Sequence, residues 1–168
     1  MALLTKTVVL AGAMLALAAC GSESAGSGRP CTLVGAVPGV SVDVRPPFAA
    51  RVASVSLRVC WDRACQSPRV ELTRTSKAVS AGCDGEGPDA ACGASMSPDG
   101  GQGGFARVEG LPRTPVQAFL VLRDGRGRRL LDRRVDLTPR VTFPNGPHCG
   151  EGPPQAGLVV ADGRVTVR

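Results

Sequence analysis

The segment Ser54-Val55-Ser56-Leu57-Arg58-Val59-Cys60 decides the fold. Its apolar residues, Val55, Leu57 and Val59, fall on every second position, and polar residues fill the gaps. Period two sends the two sets to opposite faces of an extended chain, so this is a strand with one buried face. Upstream, Val40, Val42 and Val44 alternate with Ser41, Asp43 and Arg45 in the same way. Pro46-Pro47 ends that run, because proline has no N–H to give a ladder. Downstream, Val70 and Leu72 alternate with Glu71 and Thr73 and predict another strand after Pro68. Residues 116–122 (VQAFLVL) are nearly all apolar and lie between Pro115 and Asp124-Gly125. A short run of that kind predicts a strand at a sheet centre. Residues 126–137 return as its hairpin partner, with Leu131, Val135 and Leu137 on the inner face. Arg133 interrupts that inner row, which predicts an edge position. Residues 158–161 and 164–167 flank Asp162-Gly163, a dipeptide that two-residue hairpin turns favour. With a short strand at 105–108, the chain predicts roughly eight or nine strands and an all-β, antiparallel sandwich.

Residues 76–104 show no periodicity. They predict a long irregular loop whose middle, Cys83 to Cys92, carries Asp84, Glu86 and Asp89. Clustered oxygens suit calcium, but their spacing matches no EF-hand loop. The expectation is a solvated, disulfide-pinned loop. Residues 139–156 are proline-rich and irregular around Asn145-Gly146 and Cys149.

The N-terminus sets delivery. Lys6 precedes residues 7–19, an uncharged run of mostly Ala, Val and Leu. That run is shorter than the ~20 apolar residues a spanning helix needs. Its length and flanks fit a secretory signal segment. It closes on Leu17-Ala18-Ala19-Cys20, which resembles the lipobox of bacterial lipoproteins: an aliphatic residue, two small residues and a cysteine. The resemblance implies cleavage before Cys20 and a diacylglycerol thioether on it, with further acylation common. Two or more chains anchor stably where one is marginal. Residues 1–19 are thus expected to be a lipoprotein signal peptide. Residues 20–30 would be the lipidated cysteine and a flexible tether, and residues 31–168 the ectodomain, held on the extracytoplasmic face of a bacterial cell membrane. The tether GSESAGSGRP has a typical end-to-end distance of about 17 Å. Eighteen of the 20 basic residues are Arg, and Gly, Ala and Pro abound. These are residues of G+C-rich codons and point to a high-G+C bacterium of the actinomycete type.

With Cys20 lipidated, Cys31, Cys60, Cys65, Cys83, Cys92 and Cys149 remain. An even number in an exported domain predicts disulfides. Six cysteines allow fifteen connectivities, among which spacing favours local pairs: Cys60 with Cys65, Cys83 with Cys92, and then Cys31 with Cys149. Zinc is disfavoured, because there is a single His (His148) and no CxxC. Residues 105–137, a strand, a Gly-Leu-Pro turn, a strand and an Asp-Gly hairpin, resemble the later strands of bacterial immunoglobulin-like or fibronectin-type modules. The resemblance implies an Ig-like sandwich.

No catalytic constellation is legible. His148 adjoins Cys149, and sequence neighbours seldom form a catalytic dyad. Gly93-Ala94-Ser95-Met96-Ser97 is not a nucleophile elbow, and no S-x-x-K or phosphate-binding glycine motif occurs. Glu71, Glu109 and Glu151 show no pairing. The net charge of +6 and the basic run from Arg123 to Arg134 could suit phosphate or an acidic polymer, although interleaved Asp residues also fit a solvated strand face. Nucleic acid is not expected, since basic residues are not interleaved with aromatics. The expectation is a non-enzymatic binding or structural module without cofactor or metal, anchored to the membrane through Cys20 and contacting an envelope protein. The alternative is a lipoprotein that binds a small ligand or a metal ion.

Overall fold

The computed structural model describes residues 30–168. Residues 1–29, on which the expected signal peptide, the expected lipidation at Cys20 and most of the expected tether fall, lie outside the described residues. The chain divides into two units, residues 1–32 and 33–168. Of the first, only Pro30, Cys31 and Thr32 are described; they are exposed and without secondary structure. Among the described residues no helix is long and apolar enough to cross a membrane.

The second unit is all-β. Its strands in chain order are β1 (Gly39–Val44), β2 (Ser54–Trp61), β3 (Ala64–Gln66), β4 (Thr73–Cys83), β5 (Cys92–Arg107), β6 (Val116–Arg123), β7 (Arg129–Leu137), β8 (Arg140–Val141), β9 (Pro154–Ala161) and β10 (Arg164–Val167). They form two sheets. One has the order β10-β9-β1-β5-β4, with the short β8 also on β9; the other has the order β3-β2-β6-β7. All ladders are antiparallel except β1 with β9, which is parallel.

Alternation explains the core. Val40, Val42 and Val44 of β1, Ala106 of β5, and Ala156, Leu158 and Val160 of β9 are buried. They form one cluster with Leu57 and Val59 of β2, Val116, Ala118, Leu120 and Leu122 of β6, and Leu131 and Leu137 of β7. A 3-10 turn at Phe48–Arg51 joins β1 to β2 and buries Phe48 and Ala49. Gln102 locks this turn to β5: its Nε2 donates to the carbonyls of Ala49 (2.9 Å) and Val52 (3.1 Å).

The turns follow local chemistry. Asp162 (φ 50°) and Gly163 (φ 73°) occupy the left-handed region, as a two-residue hairpin turn requires. Asp62 (φ 47°) and Arg63 (φ 63°) do the same between β2 and β3, where the Cys60–Cys65 bridge closes the mouth. The β6–β7 hairpin is longer than an Asp-Gly turn. Asp124 holds it, accepting from the backbone N–H groups of Arg126 and Arg128 and from the Arg128 guanidinium at 2.7 Å. Arg133 lies opposite Leu120 on β7, at the sheet edge.

Two expectations need correction. Residues 70–72 are not a strand; β4 begins at Thr73. Val70 and Leu72 instead pack as half-buried residues on the core. Their backbone crosses so close to β5 that a Cβ on Gly104 would meet the Glu71 carbonyl oxygen at 2.6 Å. The second correction concerns residues 76–104, which are not an irregular loop. They form most of β4 and β5, paired from Thr73↔Gly103 to Cys83↔Cys92. Periodicity is absent because residues 76–98 have no core to alternate against: nearly all are exposed on both faces.

Candidate binding surfaces

β5 belongs to two structures at once. Its residues 102–107 pair with β1 inside the sheet, whereas residues 92–98 pair only with β4. The distal part is therefore a two-stranded ribbon. Eight residues, 76–83, give it a reach of about 23 Å at ~3.3 Å per residue. The Cys83–Cys92 bridge closes its end. Beyond the bridge, the Asp84 carboxylate accepts from the Ala91 N–H at 2.7 Å and fixes the tip.

The ribbon leaves the sandwich at a kink. Arg74 pairs with Gln102 and Ser76 with Pro98, so β5 carries extra residues around Asp99 and Gly100. Gly100 supplies the left-handed φ of 77° that the bulge needs. Asp99 ties the bulge, accepting from the Thr75 hydroxyl (2.5 Å) and the Gly101 N–H (2.9 Å). Those two bonds, with the charge of Arg45 nearby, hold the Asp99 carboxyl below its ordinary range against a smaller effect of burial.

The ribbon's chemistry is unusual for an exposed edge. Lys77 is the only charged side chain among residues 76–83 and 92–98. Val79 is 40% exposed on one face and Met96 65% exposed on the other.

The outer face of the four-stranded sheet offers a second surface. Arg58 of β2, Phe119 of β6 and Arg134 of β7 lie side by side in one cross-strand row. The Arg58 guanidinium sits 4.5 Å from the Phe119 ring centroid, a cation–π contact. Shallow grooves run on either side of this ridge. One is lined by Ser56, Ser67, Arg69 and Asp132, the other by Trp61, Arg63 and Gln117.

Of the six cysteines expected to be oxidised, Cys60–Cys65 and Cys83–Cys92 form the predicted bridges. Cys31 and Cys149 are each disulfide-bonded. Near Cys149, Asn145 makes two bonds to one residue: its Oδ1 accepts from the Val34 N–H (2.8 Å) and its Nδ2 donates to the Val34 carbonyl (3.1 Å). His148 is exposed. Glu109 pairs with Arg107 and Glu151 with Arg113, so these carboxylates are engaged in surface ion pairs. Among the described residues no three of His, Cys, Asp and Glu converge on a position that could hold a metal ion. The basic run 123–134 is divided: Arg128 pairs with Asp124 and Arg129 with Asp132, while Arg134 turns onto the ridge. Burial works against the charge of Asp124, but the Arg128 guanidinium and the two N–H groups outweigh it and lower its pKa.

Sequence reasoning missed the ribbon and the ridge. The paired Cys83 and Cys92 around a turn-rich stretch were the one available sign of a hairpin. The ridge depends on register between three strands, which no local pattern carries. No known family model, curated protein or solved structure matches this chain.

Proposed function

We propose that this chain is a lipid-anchored binding module of the bacterial cell envelope, with an Ig-like β-sandwich as platform and the β4–β5 ribbon as its contact arm. The ribbon carries the reading. An exposed strand edge offers unpaired N–H and C=O groups to another chain, and proteins usually blunt such edges with charge or proline. Here 15 residues (76–83 and 92–98) hold one charge, Lys77, and one proline, Pro98. An extended segment of an envelope protein could add to such an edge by main-chain hydrogen bonding. The anchor rests on the lipobox at Cys20. The disulfides accord with an oxidising, extracytoplasmic compartment. We assign the module no catalytic step.

Crosslinking of the anchored protein in its native membranes, followed by identification of captured proteins, tests the reading. The expected result is one reproducible envelope protein, lost when residues 77–97 are replaced by a two-residue turn. Capture that survives this shortening refutes the arm. Separately, Cys20→Ala is expected to release the protein or leave it unprocessed. A variant that stays membrane-bound at the normal mature mass refutes the anchor.

A further inference from the structure

We propose that the end of the sandwich where the chain enters it is a lipid-docking surface, which rests on the bilayer and leaves the ribbon at the far end free. The inference rests on the lipid anchor at Cys20 proposed above. Among the described residues eight large apolar side chains are exposed, and five of them, Leu33, Val34, Val37, Phe105 and Phe143, belong to this end. Local contacts gather them. The Asn145 side chain bonds both the N–H and the carbonyl of Val34, and Asn145 lies in the turn that Phe143 opens, closed by the Gly146 N–H on the Phe143 carbonyl at 3.0 Å. Gln155 Nε2 donates to the Val37 carbonyl at 2.7 Å, and Gln155 pairs with Arg140, which precedes Phe143 by three residues. Phe105 covers Gly39, two residues after Val37: a Cβ there would meet its ring. Apolar residues scattered singly over a surface need no explanation, but a gathered set marks a contact.

The chain itself selects the occupant. Leu33 begins the folded unit and follows Cys20 by thirteen residues. Fully extended, that length keeps the lipid within about 45 Å of the patch. A bilayer held so near has a high effective concentration, so a modest patch suffices to engage it. A second copy or a free envelope protein has no such advantage. Charge does not oppose the contact. Glu109 and Glu151, in the segments flanking the patch, are paired with Arg107 and Arg113, and Arg140 adds a cation close to Phe143 in sequence. Anionic lipid attracts cations at its surface. β5 then sets what faces outward. Phe105 lies near its last residue and Cys92 is its first, about 40 Å away along the strand. The patch and the ribbon tip thus occupy opposite ends of one strand.

The experiment irradiates the full chain in its native membranes after these are loaded with a diazirine-bearing phospholipid. Labelled positions are mapped by fragmentation mass spectrometry, and the mass of the N-terminal peptide reads the lipid on Cys20 separately. Label is expected at Leu33 to Val37, Phe105 and Phe143. It is not expected at Met96 on the ribbon, which is 65% exposed against 44% for Phe143 and serves as the control. Leu33→Ser/Phe143→Ser is expected to lower the label at the untouched Phe105 to the Met96 level, while the protein stays membrane-bound through its lipid. Val79→Ser/Met96→Ser is expected to leave the Phe105 label unchanged. Circular dichroism melts confirm that each variant is folded. Lipid on Cys20 with label no higher at the patch than at Met96 overturns the docking surface and leaves the anchor standing; a patch covered by a second copy or another protein gives this result. Undiminished Phe105 label in the Leu33/Phe143 variant also overturns it. Patch label without lipid on Cys20 supports the docking surface and overturns the anchor, and absence of both overturns both.

Discussion

Removing the tip bridge with Cys83→Ser/Cys92→Ser separates two accounts of how the ribbon is coupled to the sandwich. The bridge closes a ten-residue loop, Cys83 to Cys92. In the chain-entropy model, opening such a loop favours the unfolded state by about 2.7 kcal/mol at 25 °C. If the native state stayed unchanged, all of that would come off the global stability. For a domain of this size it would lower Tm by roughly 8–10 °C. The native state is not expected to stay unchanged. None of the buried core side chains lies in residues 76–98, so the distal ribbon can fray without exposing the core. Freed in both states, the same entropy largely cancels. The expected loss is therefore below about 1 kcal/mol, or roughly 3–4 °C in Tm. Hydrogen exchange by mass spectrometry, alongside calorimetry, is the assay. Peptides covering 76–83 and 92–98 are expected to lose protection while those of β1, β6 and β9 keep it. A Tm drop near 10 °C with the ribbon amides still protected until global unfolding would refute the reasoning and make arm and sandwich one cooperative unit.

Other perturbations probe other joints. Gln102→Met keeps the side-chain length but removes the donor to the Val52 carbonyl and leaves the Ala49 carbonyl with the Val52 N–H alone. A loss of about 2 kcal/mol is expected by denaturant unfolding. Arg63→Gly relieves a non-glycine residue at φ 63° and is expected to raise stability by about 0.5–1 kcal/mol in the same assay. Because the Asp99 pKa is lowered in the fold, its contribution is complete above its ordinary value of 3.8 and fades as pH falls through the lower folded value. Exchange protection at the ribbon root is expected to hold from neutral pH to about 4 and to drop below it, while Asp99→Ala should show weaker protection without that acid step. Non-reducing peptide mapping is expected to join the Cys31 and Cys149 peptides.

What was legible in the sequence follows from where a core existed to impose a pattern. β1 and β2 each bury one face, and their alternating valines and leucine show it directly; β6 was legible as a short apolar run between turn signals, and β9 through its Asp-Gly turn. The Asp162-Gly163 turn was legible because its backbone demands those residue types. Residues 70–72 misled because Val70 and Leu72 alternate for a different reason: they cover the core from a crossing segment and not from a ladder. Residues 76–98 were silent because a ribbon exposed on both faces has no inside. The Arg58-Phe119-Arg134 row was illegible for another reason. Its members are 61 and 15 positions apart in the chain, and only the pairing of β2, β6 and β7 brings them together.

β5 runs without interruption from the bridged tip to Arg107, deep in the first sheet. A pull on the tip directed along β5 is therefore delivered lengthwise to its ladder with β1, over Gly39–Val44 and Gln102–Arg107. Bonds of a ladder loaded in that direction bear tension together and fail together, whereas a sideways pull peels them one at a time. The kink at Asp99 and Gly100 sits between tip and ladder and can yield first. A module built this way has a compliant neck in series with a shear-resistant root, which suits a connection between two surfaces that move relative to each other.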